Sequence, residues 1–272
     1  MSRVVVFGPI SLDTVVEIET FPENGGFVQG LRRSERVGGA GLNIAAAVAS
    51  AAIPTKFFSY VGDDEIGKNL KNQVELLGLD ANDVRTISGP SLHAVITIDR
   101  SGERTVIALE KNRFPYLTIE IEFSAEDIVV FPVWRDFYLD HLENARRSRA
   151  RTIVGLNAQA NKSVHAHLII GSEKDIPEFE YDRLRFSSAI VTRGKKGVSV
   201  YEGELESELP SKSVTVIDAT GAGDSFLAGV LVGLEKDVDL RTAAEIGVEW
   251  ASSAIQQQGS IPPKWRPEFH AK

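Results

Sequence analysis

The chain has 272 residues, 43% hydrophobic and 25% charged, with a formal net charge of −8 and no cysteine. That length suits one large α/β body with a small appendage or two modest domains. The acidic balance argues against a broad nucleic-acid footprint, the missing cysteines exclude disulfides, thiolate nucleophiles and cysteine-held metals, and no apolar run reaches the roughly 18 residues of a membrane span.

From the N-terminus, "RVVVFG" is a β-branched run broken at Gly8 and Pro9, and reads as a first strand; Asp13 follows too soon for a secretory leader. The cytoplasm is the expected location. "TVVEIET" alternates like a second strand and ends at "FPENGG". "GLNIAAAVASAA" sets Leu42, Ala45, Ala46 and Ala49 on one helical face, small enough to lie close against a sheet. "KFFSYVG" is a strand, and "DEIGKNLKNQVELLG" a helix with Ile66, Leu70, Val74 and Leu77 inward and Gly78 as its stop.

"HAVITIDRSGERTVIAL" then interrupts this βα rhythm as a hairpin turning at Ser101 and Gly102, and with "TVVEIET" it predicts a small separate sheet. "DIVVFP", "RTIVGLN", "HLIIGS" and "SAIVTRG" are short continuous apolar runs, the pattern of a buried parallel sheet. "ELESELPSKS" reads as a polar excursion and "SVTVID" as the strand that follows it. No linker, low-complexity tract or internal repeat divides the chain, so residues 1–272 are expected to form one domain.

The last run leads into "VIDATGAGDSF", where Leu227, Val230, Leu231 and Leu234 at i, i+3, i+4 and i+7 start a helix near Gly221. Glycine and alanine there clear the approach to free backbone amides and the positive helix end, a place for a phosphoryl anion. Asp224, in the first turn, can take the proton of an attacking hydroxyl. The helix dipole favours its ionised form and weakens it as a base, so orientation is a competing role. A bare capping carboxylate with packing glycines is the alternative.

These residues resemble the ribokinase-like (PfkB) family of carbohydrate kinases. "DATGAGD" matches a D-T-x-G-A-G-D signature, with alanine where threonine is usual; "GGAGLNIA" from Gly38 and "VGDDEIGK" from Val61 match a first signature in the right order. The likeness runs from "GPISLD" to "QQQGSIPP". It implies a three-layer α/β/α fold with a mostly parallel central sheet and a small β-sheet lid at about 14–37 and 92–112.

The resemblance further implies an ATP-dependent kinase acting on a hydroxyl of a sugar or related polyol, with Mg²⁺ and, in some relatives, a monovalent cation. A nucleoside kinase or a catalytically silent sugar sensor of the same fold are the alternatives. It makes Asp224 the base and Gly221, Ala222 and Gly223 the anion hole. Ser11, Asp13, Gly38, Gly39 and Asn43 fall on the substrate side, and Thr192, Gly194 and Thr220 on the nucleotide side. Asp218 and "AIQQQG" lie where some relatives hold the monovalent cation through backbone carbonyls. In relatives a second subunit covers the lid edge, so a homodimer is expected; no nucleic acid or membrane partner is.

There are departures. The usual Asn-x-x-Glu that organises magnesium corresponds to "SEKD", with Ser172 and Asp175 in its places, and Gly247 stands where ribokinases have an asparagine. The stretch between Phe114 and Ser187 is shorter than in typical relatives. "GDDEIGKN" approaches a phosphate-binding P-loop but lacks its hydroxyl, and Asp63, Asp64 and Glu65 would repel phosphate, so a helix start is the better reading.

Weaker constellations remain. His165 and His167 share one face of an expected surface strand without a third metal ligand. Lys111 and Arg113 could meet a phosphorylated substrate, and Phe27, His93 or Phe114 could stack on a base. No G-x-G-x-x-G follows the first strand, which disfavours a dinucleotide-binding oxidoreductase.

Overall fold

Val4–Phe7 (β1) is buried throughout, and its side chains divide between two apolar layers, Val4 and Val6 on one face and Val5 and Phe7 on the other. Burial on both faces is the condition of a central strand in a parallel sheet. The computed structural model describes residues 2–110, 120–156, 164–174, 188–266 and 269.

Two sheets are present among these residues. The smaller contains β2 (Ser11–Glu17), β3 (Arg32–Gly38), β6 (His93–Ile98) and β7 (Arg104–Ala108), in the order β3-β2-β6-β7. The larger joins β1 to β4 (Thr55–Gly62), β5 (Val84–Ile87), β8 (Ile128–Phe131), β9 (Arg151–Gly155), β10 (Leu168–Ser172), β11 (Ser188–Thr192), β12 (Val198–Glu202) and β13 (Leu205–Leu209). Its order is β13-β12-β11-β10-β9-β8-β1-β4-β5. Every pairing from β5 to β11 is parallel; β12 alone runs against the rest, and β13, antiparallel to β12, returns to their direction.

The helices are α1 (Ala40–Ser50), α2 (Glu65–Leu76), α3 (Leu139–Arg147), α4 (Ala222–Glu235) and α5 (Leu240–Ala254). Residues of α1, α2, α4 and α5 pack on the Val4 and Val6 face, and Leu142 and Ala145 of α3 on the Val5 and Phe7 face. This is the expected three-layer arrangement. Gly41 to Val48 of α1 are all buried, which its run of alanines permits, because a helix apolar on every side must be enclosed.

The small sheet grows from the carboxyl end of β1. Only Gly8, Pro9 and Ile10 separate β1 from β2, and the return from β3 enters α1 directly. The start of α1 is thereby held at the mouth between the two sheets, where ligands of open α/β folds collect.

Two expectations need correction, and one departure gains a physical reason. Ser213–Asp218 is not a strand: Leu205–Leu209 fills the sheet edge instead, through a two-residue hairpin at Gly203 and Glu204. The later segment pairs with neither sheet, and Ile217 and Asp218 donate instead to the Ile255 carbonyl at 2.8 and 3.3 Å. His165 and His167 precede β10 rather than lying in a strand. The His167 Nδ1 accepts from the Thr152 amide at 3.0 Å, and burial, then Arg146 and Arg151, lowers its pKa, so it is a neutral structural acceptor. Finally, Gly247 is a packing residue. A Cβ on Gly229 of α4 would lie 2.6 Å from its Cα, so the two glycines let α4 and α5 touch.

Candidate active site

Gly221 caps α4 with φ of 77°, a left-handed conformation, and any Cβ there would run into the Ser260 carbonyl. The turn therefore requires glycine. Asp224 follows in the first helical turn, among the amides that a helix start leaves without an intrahelical carbonyl. A Cβ on Gly223 would meet nothing within 4 Å, so the approach to those amides is open. Ala222, beside it, is half-buried.

The opposite wall comes from the N-terminal third. Asn43, on the first turn of α1, donates from Nδ2 to Oδ2 of Asp224 at 2.7 Å across 181 positions of chain. Its Oδ1 is buried without a protein partner. Asp13 on β2 is 5% exposed, accepts from the Ser11 hydroxyl at 2.8 Å, and faces Gly38 closely enough that a Cβ there would strike its carboxyl. Gly39, with φ of 96°, turns the chain into α1. Ser11, Asp13, Gly38, Asn43 and the Gly221–Asp224 turn are thus gathered into one corner.

Both carboxylates in this corner are held above their ordinary range. For Asp224 burial is the largest cause; Asn43 and Arg104 act against it, and Asp13 adds to it. Desolvation therefore acts in the direction opposite to the helix dipole that argued for a weak base. For Asp13 burial again leads, opposed by Ser11, Arg36 and His93.

Two arginines of this corner carry no motif in the sequence. Arg104, on β7, reaches over from the small sheet and donates from Nη1 to the Ala219 carbonyl at 2.5 Å, immediately before the Gly221–Asp224 turn. Arg36, on β3, donates from Nη1 to Oδ2 of Asp218 at 2.9 Å. The only trace either leaves is a basic residue in an alternating strand, in "ERVGG" and "GERTV". Their role depends on the small sheet folding over the large one, which spacing does not reveal.

Asp218 is 4% exposed and also accepts from the amides of Thr220 at 2.8 Å and Gly259 at 3.2 Å. Burial pushes its pKa up, but the bonds from Thr220, Arg36 and Gly259 prevail and hold it below the ordinary value. Thr192 ends β11 and Gly194 begins a short 3₁₀ turn with φ of 55°. Among the described residues no hydrogen bond joins either to the Asp224 corner.

Asp175, Lys111, Arg113 and Phe114 lie outside the described residues. Of the aromatic candidates, Phe27 is 91% exposed and His93 is bonded to Thr14 at 2.9 Å. Asp64 caps α2 by accepting from the Gly67 amide at 2.8 Å, so "GDDEIGKN" is a helix start rather than a phosphate loop. Among the described residues no group of three or more His, Asp or Glu side chains could cage a metal, and no helix is long and apolar enough to cross a membrane.

Comparison with known proteins gives the family and the fold. The family model for pfkB family carbohydrate kinases matches residues 1–161 and 182–266. The unmatched gap between them contains "SEKD", the departure already noted. A nucleoside kinase of Methanocaldococcus jannaschii is 25% identical over 95% of this chain and 92% of its own. Fructokinase-2 of Oryza sativa subsp. japonica is 24% identical over 95% and 90%. The crystal structure of the Methanocaldococcus jannaschii nucleoside kinase, an archaeal member of the ribokinase family, superimposes with a TM-score of 0.79 at 23% identity, covering 97% of this chain and 96% of that one.

Proposed function

Since the chain belongs to the pfkB family of carbohydrate kinases, we propose that it transfers the γ-phosphoryl group of ATP to a hydroxyl of a sugar or related polyol. The observation that carries this reading is the Asn43–Asp224 hydrogen bond, which joins the two halves of the site. It pins one carboxylate oxygen and leaves Oδ1 with no other bond among the described residues, free to accept the proton of an attacking hydroxyl. A pKa raised by burial brings Asp224 nearer the working range of a general base.

Asp13 and the free Oδ1 of Asn43 are acceptors only, the complement of a surface of hydroxyl donors. Gly38 keeps the wall beside them thin. The Gly221, Ala222 and Gly223 turn at the start of α4, with the guanidinium of Arg104 beside it at the Ala219 carbonyl, is assigned to the charge that develops on the transferring phosphoryl group. Thr192, Gly194 and Thr220 are assigned to the nucleotide side, as the family likeness suggests.

Magnesium supplies charge neutralisation when it arrives with the nucleotide; without a carboxylate cage among the described residues, the phosphates themselves would hold it. The small sheet acts as a lid over the acceptor. Val106, Ile107 and Leu109, about half exposed along its β7 edge, favour a second copy of the chain as its cover.

The likeness to a nucleoside kinase supports a second reading, in which the acceptor hydroxyl belongs to a nucleoside. A screen of ATP consumption over sugars, polyols and nucleosides separates the two. Turnover with free sugars or polyols is the expected result, and stimulation by nucleosides alone overturns the sugar reading. No stimulation by any class, with nucleotide binding intact, favours a silent sensor.

A further inference from the structure

We propose that Arg36 is a built-in counter-cation for the Asp218 turn, standing where a bound monovalent cation would otherwise sit, so that this chain works without one. The proposal rests on the kinase reading above only for what the turn does. Its structural basis is independent.

Asp218 lies three residues before Gly221, and its carboxylate is shielded from water. An ionised group so placed needs a positive partner or a full set of donors. It has both. Thr220 N bonds Oδ1, while Gly259 N and Arg36 Nη1 bond Oδ2, and the paired side chains are only 19% and 5% exposed. A metal cation brought to the same carboxylate would have to displace the guanidinium or sit beside a like charge.

The backbone oxygens of the neighbouring segment are also engaged. The carbonyls of Ser253, Ala254 and Ile255 accept from the amides of Gln256, Gln257 and Ile217, and the Ser252 carbonyl accepts from the Gln256 side chain at 2.9 Å. Within Ala254–Gly259, the Ala254 and Ile255 carbonyls are therefore already accepting hydrogen bonds. The residues present do not fit the ion that the resemblance implied.

Arg36 also comes from far away in sequence, 182 positions from Asp218. It sits opposite Asp13 in the β2–β3 ladder, so one guanidinium lies between the acceptor-side carboxylate and the turn that feeds the anion hole. Its Nε and Nη2 are buried with no partner, so the charge is not exhausted by Asp218. The cation thus comes from β3 of the small sheet, while the carboxylate it meets belongs to the turn before α4.

The test compares melting temperature and ADP affinity of the full chain in potassium chloride and in tetramethylammonium chloride at equal ionic strength. Neither measurement uses an acceptor, so failure to find one would sink the kinase reading without touching this proposal. The wild-type protein is expected to show melting points within about 1 °C and affinities within about twofold in the two salts. Arg36→Gln exposes the carboxylate and should gain a potassium-specific rise of about 3 °C or more, lost again in Arg36→Gln with Asp218→Asn.

A rise of that size in the wild-type protein overturns the proposal. So does a folded Arg36→Gln variant that responds alike to both salts. Should Arg36→Gln fail to fold, Arg36→Lys decides: its ammonium keeps the charge and should keep the indifference to potassium, and a potassium-specific rise there overturns the assignment.

Discussion

Gly38 pairs with Ser11 in the β2–β3 ladder and lies diagonally across from Asp13, so closely that a single methyl group on the glycine would collide with Oδ2 of the aspartate. The space between the acceptor-side carboxylate and its own sheet is set by a missing side chain. Gly38→Ala should push Asp13 off its position, raising KM for the acceptor about tenfold or more while nucleotide KM holds within about twofold. Equal loss on both substrates would show that the wall serves folding rather than acceptor binding.

Asp224→Asn keeps the shape of the side chain and removes the base. Turnover should fall by about two orders of magnitude or more, with binding of both substrates largely kept. The same variant should melt at or above the wild-type temperature at neutral pH. The folded protein holds the Asp224 proton more tightly than the unfolded chain, so stability is lost as pH rises from the ordinary carboxylate value of 3.8 through the raised one, and the charged form is a net cost above it. A less stable variant with near-normal turnover would remove Asp224 from the mechanism.

Arg104 lowers the Asp224 pKa and touches the turn beside it. The base must be ionised, so the acid limb of kcat/KM follows that pKa. Arg104→Ala should move the limb to higher pH, because burial and Asp13 then act with only Asn43 opposing them. It should also lower kcat by about tenfold or more, through the lost charge on the phosphoryl oxygens. A pH profile that stays in place would confine Arg104 to holding the small sheet.

Asp64 accepts from Gly67 N, Ser91 N and the Ser91 hydroxyl at 2.8, 3.0 and 2.6 Å. Burial raises its pKa, but those bonds win and keep it below the ordinary value. Its stabilisation is therefore present above the ordinary carboxylate range and lost as pH falls through the folded value. Asp64→Ala should cost about 1 to 2 kcal/mol and about 4 °C in melting temperature, with the gap narrowing as pH falls below the ordinary carboxylate value of 3.8. Nucleotide KM should stay put; a large rise would revive the phosphate-loop reading.

The sequence by itself settled the elements whose pattern is local. Short apolar runs announced β8, β9, β10 and β11, the alanine-rich run announced α1, and two spaced glycine signatures announced the family and the Asp224 turn. Each is a property of neighbouring residues, so it survives in one dimension. Ser213–Asp218 failed because β-branched residues make a strand only in a suitable tertiary setting, and here Ile217 and Asp218 are drawn to the Ile255 carbonyl at the end of α5.

Only the tertiary structure decided the charges of the site. Asn43 against Asp224, Arg36 against Asp218 and Arg104 against Ala219 are pairs 181, 182 and 115 positions apart. Nothing in local periodicity relates them. The closeness of the two sheets does, and with it the burial that lifts Asp224 against its own helix dipole. Desolvation depends on everything that surrounds a group in space, so it could not be read from the residues beside it in the chain.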